Sequence, residues 1–334
     1  MQHLQRLSGL DASFLYLETS TQPLHVCSVL ELDTSTIPGG YSFSRMRDEL
    51  AVRIQAIPTF REKLANSFLN LDHPVWVEDE DIDLEHHVRH VTLTKPGSNR
   101  QLQALVARLH STLLDRSRPL WEFYIIDGLK SGQVALYTKA HHAGIDGQAG
   151  VALGRALFDL EPTGRQIRPP RPKARRNTYQ LGIAELAVAA VRNTAMQYVK
   201  LIKMAPDVFR AVKNVVTAPK MPADGGKRRW LPKSLNLFAP RTPLNVSITN
   251  QRSFAGKMVP LHEVKLIAKR LGVSLNDVVM ATAAGGLRRY FLETNELPAK
   301  PLSAMVPVSL REAGDTTANN QVSMIMVNLA TDQP

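Results

Sequence analysis

Apolar residues recur at helical spacing in several stretches of the chain. Met46, Leu50, Ile54 and Ile57 lie three or four positions apart. This spacing predicts a helix from Phe43 to Ile57 that stops before Pro58. Leu102 to Leu114 repeats the pattern through Leu105, Val106, Leu109 and Leu113. Leu24 to Leu32, Phe123 to Ile126 and Val134 to Tyr137 are short apolar runs that read as strands, the last two joined by a turn around Asp127 and Gly128. Beyond Pro243, Leu261 to Leu271 predicts a helix closed by Gly272. Ser274 then opens another, with Asp277 three residues on in a capping-box arrangement. Small residues fill Val278 to Leu287, and the adjacent Gly285 and Gly286 suggest close packing on a sheet. Ala304 to Val308 and Val322 to Leu329 read as strands, with Met324 and Met326 as core residues.

Between these two α/β regions, Tyr179 to Val216 is helical in pattern except at Pro206. At 100° per residue, Glu185, Arg192, Lys200, Lys203, Asp207 and Arg210 share one narrow face and leave a broad apolar one. Packing against the protein's own body is the first expectation, and contact with a lipid surface the second. Two basic stretches rich in proline, Arg165 to Arg176 and Lys227 to Lys233, read as linkers. The expected division is residues 1–162, an intervening basic and amphipathic segment at 163–242, and a second α/β domain at 243–334.

Composition narrows the field. Across 334 residues, 44% are hydrophobic and 21% charged, an ordinary globular balance. The single cysteine, Cys27, rules out an internal disulfide and a zinc–thiolate cluster, which fits a reducing compartment. No window of 18 residues is free of charge, so a spanning helix is not expected. Forty-one Lys and Arg against thirty Asp and Glu give a net charge of +11. That excess suits an anionic surface or a phosphate-bearing ligand, whereas no zinc-finger or RNA-recognition pattern supports nucleic acid as a partner. His86, His87 and His90 follow an acidic run but match no standard metal-site spacing, so no metal is expected.

The chemistry concentrates in one segment. A strand-like run from Ala135 delivers His141 and His142, followed by Asp146 and Gly147. Histidine is the natural general base near neutral pH. Asp146 can order the loop through a cation or backbone N–H groups, and Gly147 permits a backbone that a side chain would forbid. The segment holds no serine or cysteine nucleophile, so the pattern suits direct attack by a substrate hydroxyl rather than a covalent enzyme intermediate.

This His-His-x-x-x-Asp-Gly string, with Pro119, Leu120 and Trp121 upstream, resembles the bacterial wax ester synthase/diacylglycerol acyltransferase family. The opening Leu7 to Thr19 is similar to the family's start, and Pro243 to Asn245 with Arg252, Leu275 to Val279 and Val306 to Arg311 follow in family order. The resemblance implies the two-domain α/β fold of CoA-dependent acyltransferases such as chloramphenicol acetyltransferase. It implies that His142 deprotonates an acceptor hydroxyl, which attacks an acyl-CoA thioester without further cofactor. His141, Asp146 and Gly147 would support the site, Asp146 through an arginine. Asn276 and Asp277 would shape it from the second domain, and Pro119, Leu120 and Trp121 would pack beneath it. The implied acceptors are diacylglycerol or a fatty alcohol, reached by a cytoplasmic protein in peripheral contact with anionic membrane or a lipid droplet. The resemblance also implies elements beyond Pro334. An incomplete second domain completed by a neighbouring chain, an inactive remnant that binds lipid or acyl-CoA, and transfer to another acceptor are the alternatives.

Overall fold

A computed structural model describes residues 5–65, 73–79, 81–145, 150, 154–159, 161, 164–165, 167, 240–309 and 322–333. These fall into two compact units. One holds the described residues up to 167 together with Thr249–Phe254, the other the remaining described residues from 240 onward.

The first unit is built on a mixed four-stranded sheet of β2 (His25–Leu32), β5 (Val88–Thr92), β6 (Trp121–Asp127) and β7 (Val134–His141), in the order β2-β7-β6-β5. β7 runs antiparallel to both β2 and β6, while β5 and β6 are parallel. The parallel pair is linked through α4 (Asn99–His110), as such a pair requires a crossover. The two central strands are buried on both faces, so they read as apolar runs rather than as alternation. Their side chains nonetheless separate by parity. Trp121, Phe123, Ile125, Val134 and Leu136 pack with Leu50 and Ile54 of α2 (Phe43–Gln55). Tyr124, Ile126, Ala135 and Tyr137 pack with Leu102, Leu105 and Val106 of α4. Each large aliphatic side chain buried in this way contributes about 1.5–3 kcal/mol.

A smaller sheet of β1 (Gln5–Arg6), β4 (Val75–Glu78) and β3 (Glu62–Ala65) lies in the same unit. α1 (Gly9–Leu17) buries Ala12 and Leu15 in a third cluster with Leu114, Leu120 and Ala143. A short helix, α3 (Leu84–His87), precedes β5. Two adjoining connections, one after β5 and one after β6, each demand a glycine. Gly97 and Gly128 both have positive φ, and a Cβ on Gly97 would lie 1.9 Å from the Gly128 carbonyl oxygen.

The second unit pairs α5 (Leu261–Leu271) with α6 (Leu275–Glu293) and a hairpin of β8 (Ser303–Ser309) and β9 (Val322–Asn328). Gly272 ends α5 at φ 65°, in the left-handed region. Ser274 and Asp277 form the expected capping box. Close packing at Gly285 and Gly286 is not found among the described residues: a Cβ on either would meet none of them within 4 Å. Residues 179–216 and most of the two basic stretches lie outside the described residues.

Candidate active site

His141 closes β7 and His142 is the first residue beyond it. The backbone seats both. His141 N–H donates to Leu120 O and His142 N–H to Leu24 O, each at 2.9 Å. The two rings then meet opposite surroundings. His141 is sealed in, with its side chain 0% exposed. Its Nδ1 accepts the Ala143 N–H at 3.0 Å, so the ring hydrogen sits on Nε2, which lies 3.4 Å from Glu18 Oε1. His142 is half-buried, and its ring stacks on Phe14 at 4.2 Å with 15° between planes. Its Nδ1 is buried without a hydrogen-bond partner among the described residues.

Glu18, at the C-terminal end of α1, is the hub beneath this pair. Oε1 accepts the Leu24 N–H at 2.9 Å and Oε2 accepts Arg116 Nη2 at 2.9 Å. Arg116 also donates to Leu15 O at 2.7 Å. Burial pushes the carboxyl's pKa up, but hydrogen bonds from His141, Leu24 and Arg116 outweigh it and hold it at about 2. Glu18 is ionised throughout the neutral range.

A polar ladder continues down the same face of the sheet. Lys139, fully buried, sits opposite Glu122 in register, with Nζ 3.0 Å from Oε2. It also donates to Leu109 O, Thr112 O and Thr112 Oγ1, each at 3.2 Å, which ties β7 to the end of α4. Tyr124 OH donates to Glu122 at 2.9 Å. Burial lowers the Lys139 pKa despite Glu122, and the Lys139 ammonium keeps the Glu122 carboxyl low against its own burial. His25 hydrogen-bonds His110 O at 2.9 Å through Nε2. Burial first, then the neighbouring His110 and Lys139, push its pKa down to about 4.

Trp121 pairs across the sheet with Ala140, the residue before the motif. Its Nε1 donates to Phe60 O at 3.0 Å, and the His87 ring stacks on it at 4.4 Å. Leu120 is buried, and Pro119 O accepts the Trp121 N–H at 2.8 Å. His87 is occupied with Trp121 O and His90 with Asp127, and no group of three metal-ligating side chains occurs among the described residues. Asp146 and Gly147 lie outside the described residues. Asn276 and Asp277 stand in the first turn of α6, in the second unit, where Asp277 accepts both the N–H and the hydroxyl of Ser274. Sequence reasoning missed Glu18, Arg116 and Phe14. One signal was available: Glu18 is the sole Asp, Glu, Lys or Arg between Asp11 and Glu31.

With this geometry in place, the likeness to known proteins becomes specific. Residues 7–279 match the wax ester synthase/diacylglycerol acyltransferase catalytic domain. A candidate diacylglycerol O-acyltransferase of Mycobacterium tuberculosis is 41% identical over 322 residues, covering 96% of this chain and 61% of that protein. Another from the same organism is 36% identical over 333 residues, covering 97% and 69%. The chain thus spans about three fifths of the length of the first relative. Among solved structures, the wax ester synthase/diacylglycerol acyltransferase from Marinobacter aquaeolei VT8 is 29% identical with a TM-score of 0.65, covering 98% of this chain and 67% of that one. The first condensation domain of the calcium-dependent antibiotic synthetase, 16% identical at a TM-score of 0.53, shares the fold alone. The architecture is the mixed α/β fold of CoA-dependent acyltransferases.

Proposed function

The chain belongs to the wax ester synthase/diacylglycerol acyltransferase family, and from that premise we propose that it moves a long-chain acyl group from acyl-CoA to a hydroxyl of diacylglycerol or of a fatty alcohol. His142 takes the proton of the acceptor hydroxyl. The oxygen attacks the thioester carbonyl, the tetrahedral intermediate collapses, the carbon–sulfur bond breaks, and the proton leaves with the CoA thiolate. No covalent enzyme intermediate is needed. The carrying observation is the asymmetry of the pair: His141 is sealed inside the fold, its Nδ1 bonded to Ala143 N–H and its Nε2 facing Glu18 at 3.4 Å, and His142 is the half-buried ring that a substrate can reach.

In this reading Leu120, Trp121, Asp146 and Gly147 support the motif. The family name of the relatives supports the acceptor class, and the net charge of +11 suits the phosphates of CoA and an anionic lipid surface. Among the described residues no helix is long and apolar enough to cross a membrane. Large exposed apolar side chains on the second unit, Met258 at 81% and Leu271 at 69%, support a further polypeptide covering that unit.

Incubation with labelled palmitoyl-CoA and either diolein or hexadecanol tests the reading. His142→Ala is expected to lower kcat by roughly 10²- to 10⁴-fold, and His141→Ala by less. Wild-type turnover in His142→Ala would overturn the mechanism. Thioester binding without ester formation by the intact chain would mark a lipid-binding protein instead.

A further inference from the structure

Glu18 lies behind the motif, and its contacts converge on both histidines by separate routes. One runs through the backbone. Glu18 Oε1 accepts the N–H of Leu24, and the carbonyl of that same residue accepts the N–H of His142, each at 2.9 Å. The other runs through a side chain. His141 Nε2 faces the same Oε1 at 3.4 Å, while Ala143 N–H occupies the opposite nitrogen of the ring. Arg116 holds the second carboxylate oxygen and is itself anchored on Leu15 O. With the Glu18 side chain 1% exposed, solvent cannot substitute for any of these contacts. A carboxylate accepts on both oxygens, whereas an amide of the same shape would turn an N–H toward donors.

We infer that Glu18, clamped by Arg116, is a positioning residue for acyl transfer: it fixes the His141 ring and the backbone of His142, and so the angle at which the His142 ring meets the acceptor hydroxyl. This rests on the acyltransferase reading above. Misalignment at a reacting centre is felt in kcat more than in the capture of acyl-CoA. A carboxylate that served stability alone would lower the melting temperature and leave kcat per folded molecule unchanged.

In the full chain, Glu18→Gln is expected to lower kcat by roughly 10- to 100-fold while the KM for palmitoyl-CoA stays within about threefold. Combined with His141→Ala, it should add much less than its separate effect, since the two act partly through one path. Arg116→Met leaves the carboxylate but frees one oxygen. It should lower kcat by roughly 3- to 10-fold, and it keeps the test open if Glu18→Gln does not fold. Wild-type kcat in either folded variant, or fully multiplicative effects in the double variant, would overturn the inference. Histidine ¹⁵N NMR supplies a readout that needs no turnover. His141 should carry its hydrogen on Nε2 in the wild-type chain and lose that single-tautomer signature in Glu18→Gln, and an unchanged signature would refute the link. An intact chain that forms no ester would count against the acyltransferase reading, while the NMR result would still decide the Glu18–His141 link.

Discussion

A buried imidazole carries its own pH dependence. His25 is 7% exposed and its pKa falls from 6.5 to about 4, so the unfolded chain binds a proton that the folded chain resists. Stability must then rise with pH across that window. The contribution is complete above about pH 6.5 and is lost as the pH falls toward 4. Its ceiling is on the order of 3 kcal/mol. His87 and His110, also pushed down by burial, act with the same sign. Urea unfolding between pH 7.5 and 4.5 should therefore show falling stability, and His25→Leu should flatten the slope; an unchanged slope would place the effect elsewhere. Glu18 works in a lower window. Its depressed pKa gives stabilisation that is full above about pH 4.5 and drains as the pH falls toward 2. The histidine motif was readable from sequence because its residues are contiguous. Glu18 was not, because the contact that gives it meaning joins positions 18 and 141.

Elements were legible wherever side-chain polarity followed burial. The helix over Phe43 to Ile57 is observed as Phe43–Gln55, shortened because Ile57, ahead of Pro58, is extended at φ −108° and ψ 110°. The helix expected over Leu102 to Leu114 is instead Asn99–His110. Its start is set by the Ser98–Gln101 capping box, a polar signal outside the apolar count. The strands expected to cover Phe123 to Ile126 and Val134 to Tyr137 run on to Trp121–Asp127 and Val134–His141. Glu122 and Lys139 hid that extension, since a charged residue reads as a strand's end. Each is buried and neutralises the other. This pairing predicts that Lys139→Met costs about 3 kcal/mol, because it leaves the buried Glu122 carboxylate with only Tyr124 OH at 2.9 Å and Arg89 Nη2 at 3.8 Å and frees the end of α4. Lys139→Met with Glu122→Leu should recover part of that loss by removing the under-compensated charge. Chemical denaturation of the two variants measures it, and equal stability of single and double variants would refute the argument.

On the scale of the whole molecule, the acceptors proposed for this chain do not dissolve in water, and we propose that the protein meets a lipid surface. Its charge of +11 favours an anionic one. Within the sequence, Arg192, Lys200 and Lys203 share the narrow charged side of the Tyr179 to Val216 pattern, directly after the Arg165 to Arg176 stretch. A basic residue near such a surface contributes about 1 kcal/mol. Replacing those three with glutamine should therefore weaken vesicle binding by roughly 100-fold, since three such contributions total about 3 kcal/mol and each 1.4 kcal/mol is tenfold. The attraction is screened beyond about 8 Å at physiological salt, so wild-type binding should also fall as ionic strength rises. Flotation with vesicles of phosphatidylglycerol and phosphatidylcholine, against phosphatidylcholine alone, separates the possibilities. Preference for the anionic vesicles, lost in the triple variant and at high salt, is the expected outcome. Equal flotation with both compositions, unmoved by the substitutions, would remove the electrostatic element. A triple variant that still binds anionic vesicles in full would return the segment to packing against the protein's own body.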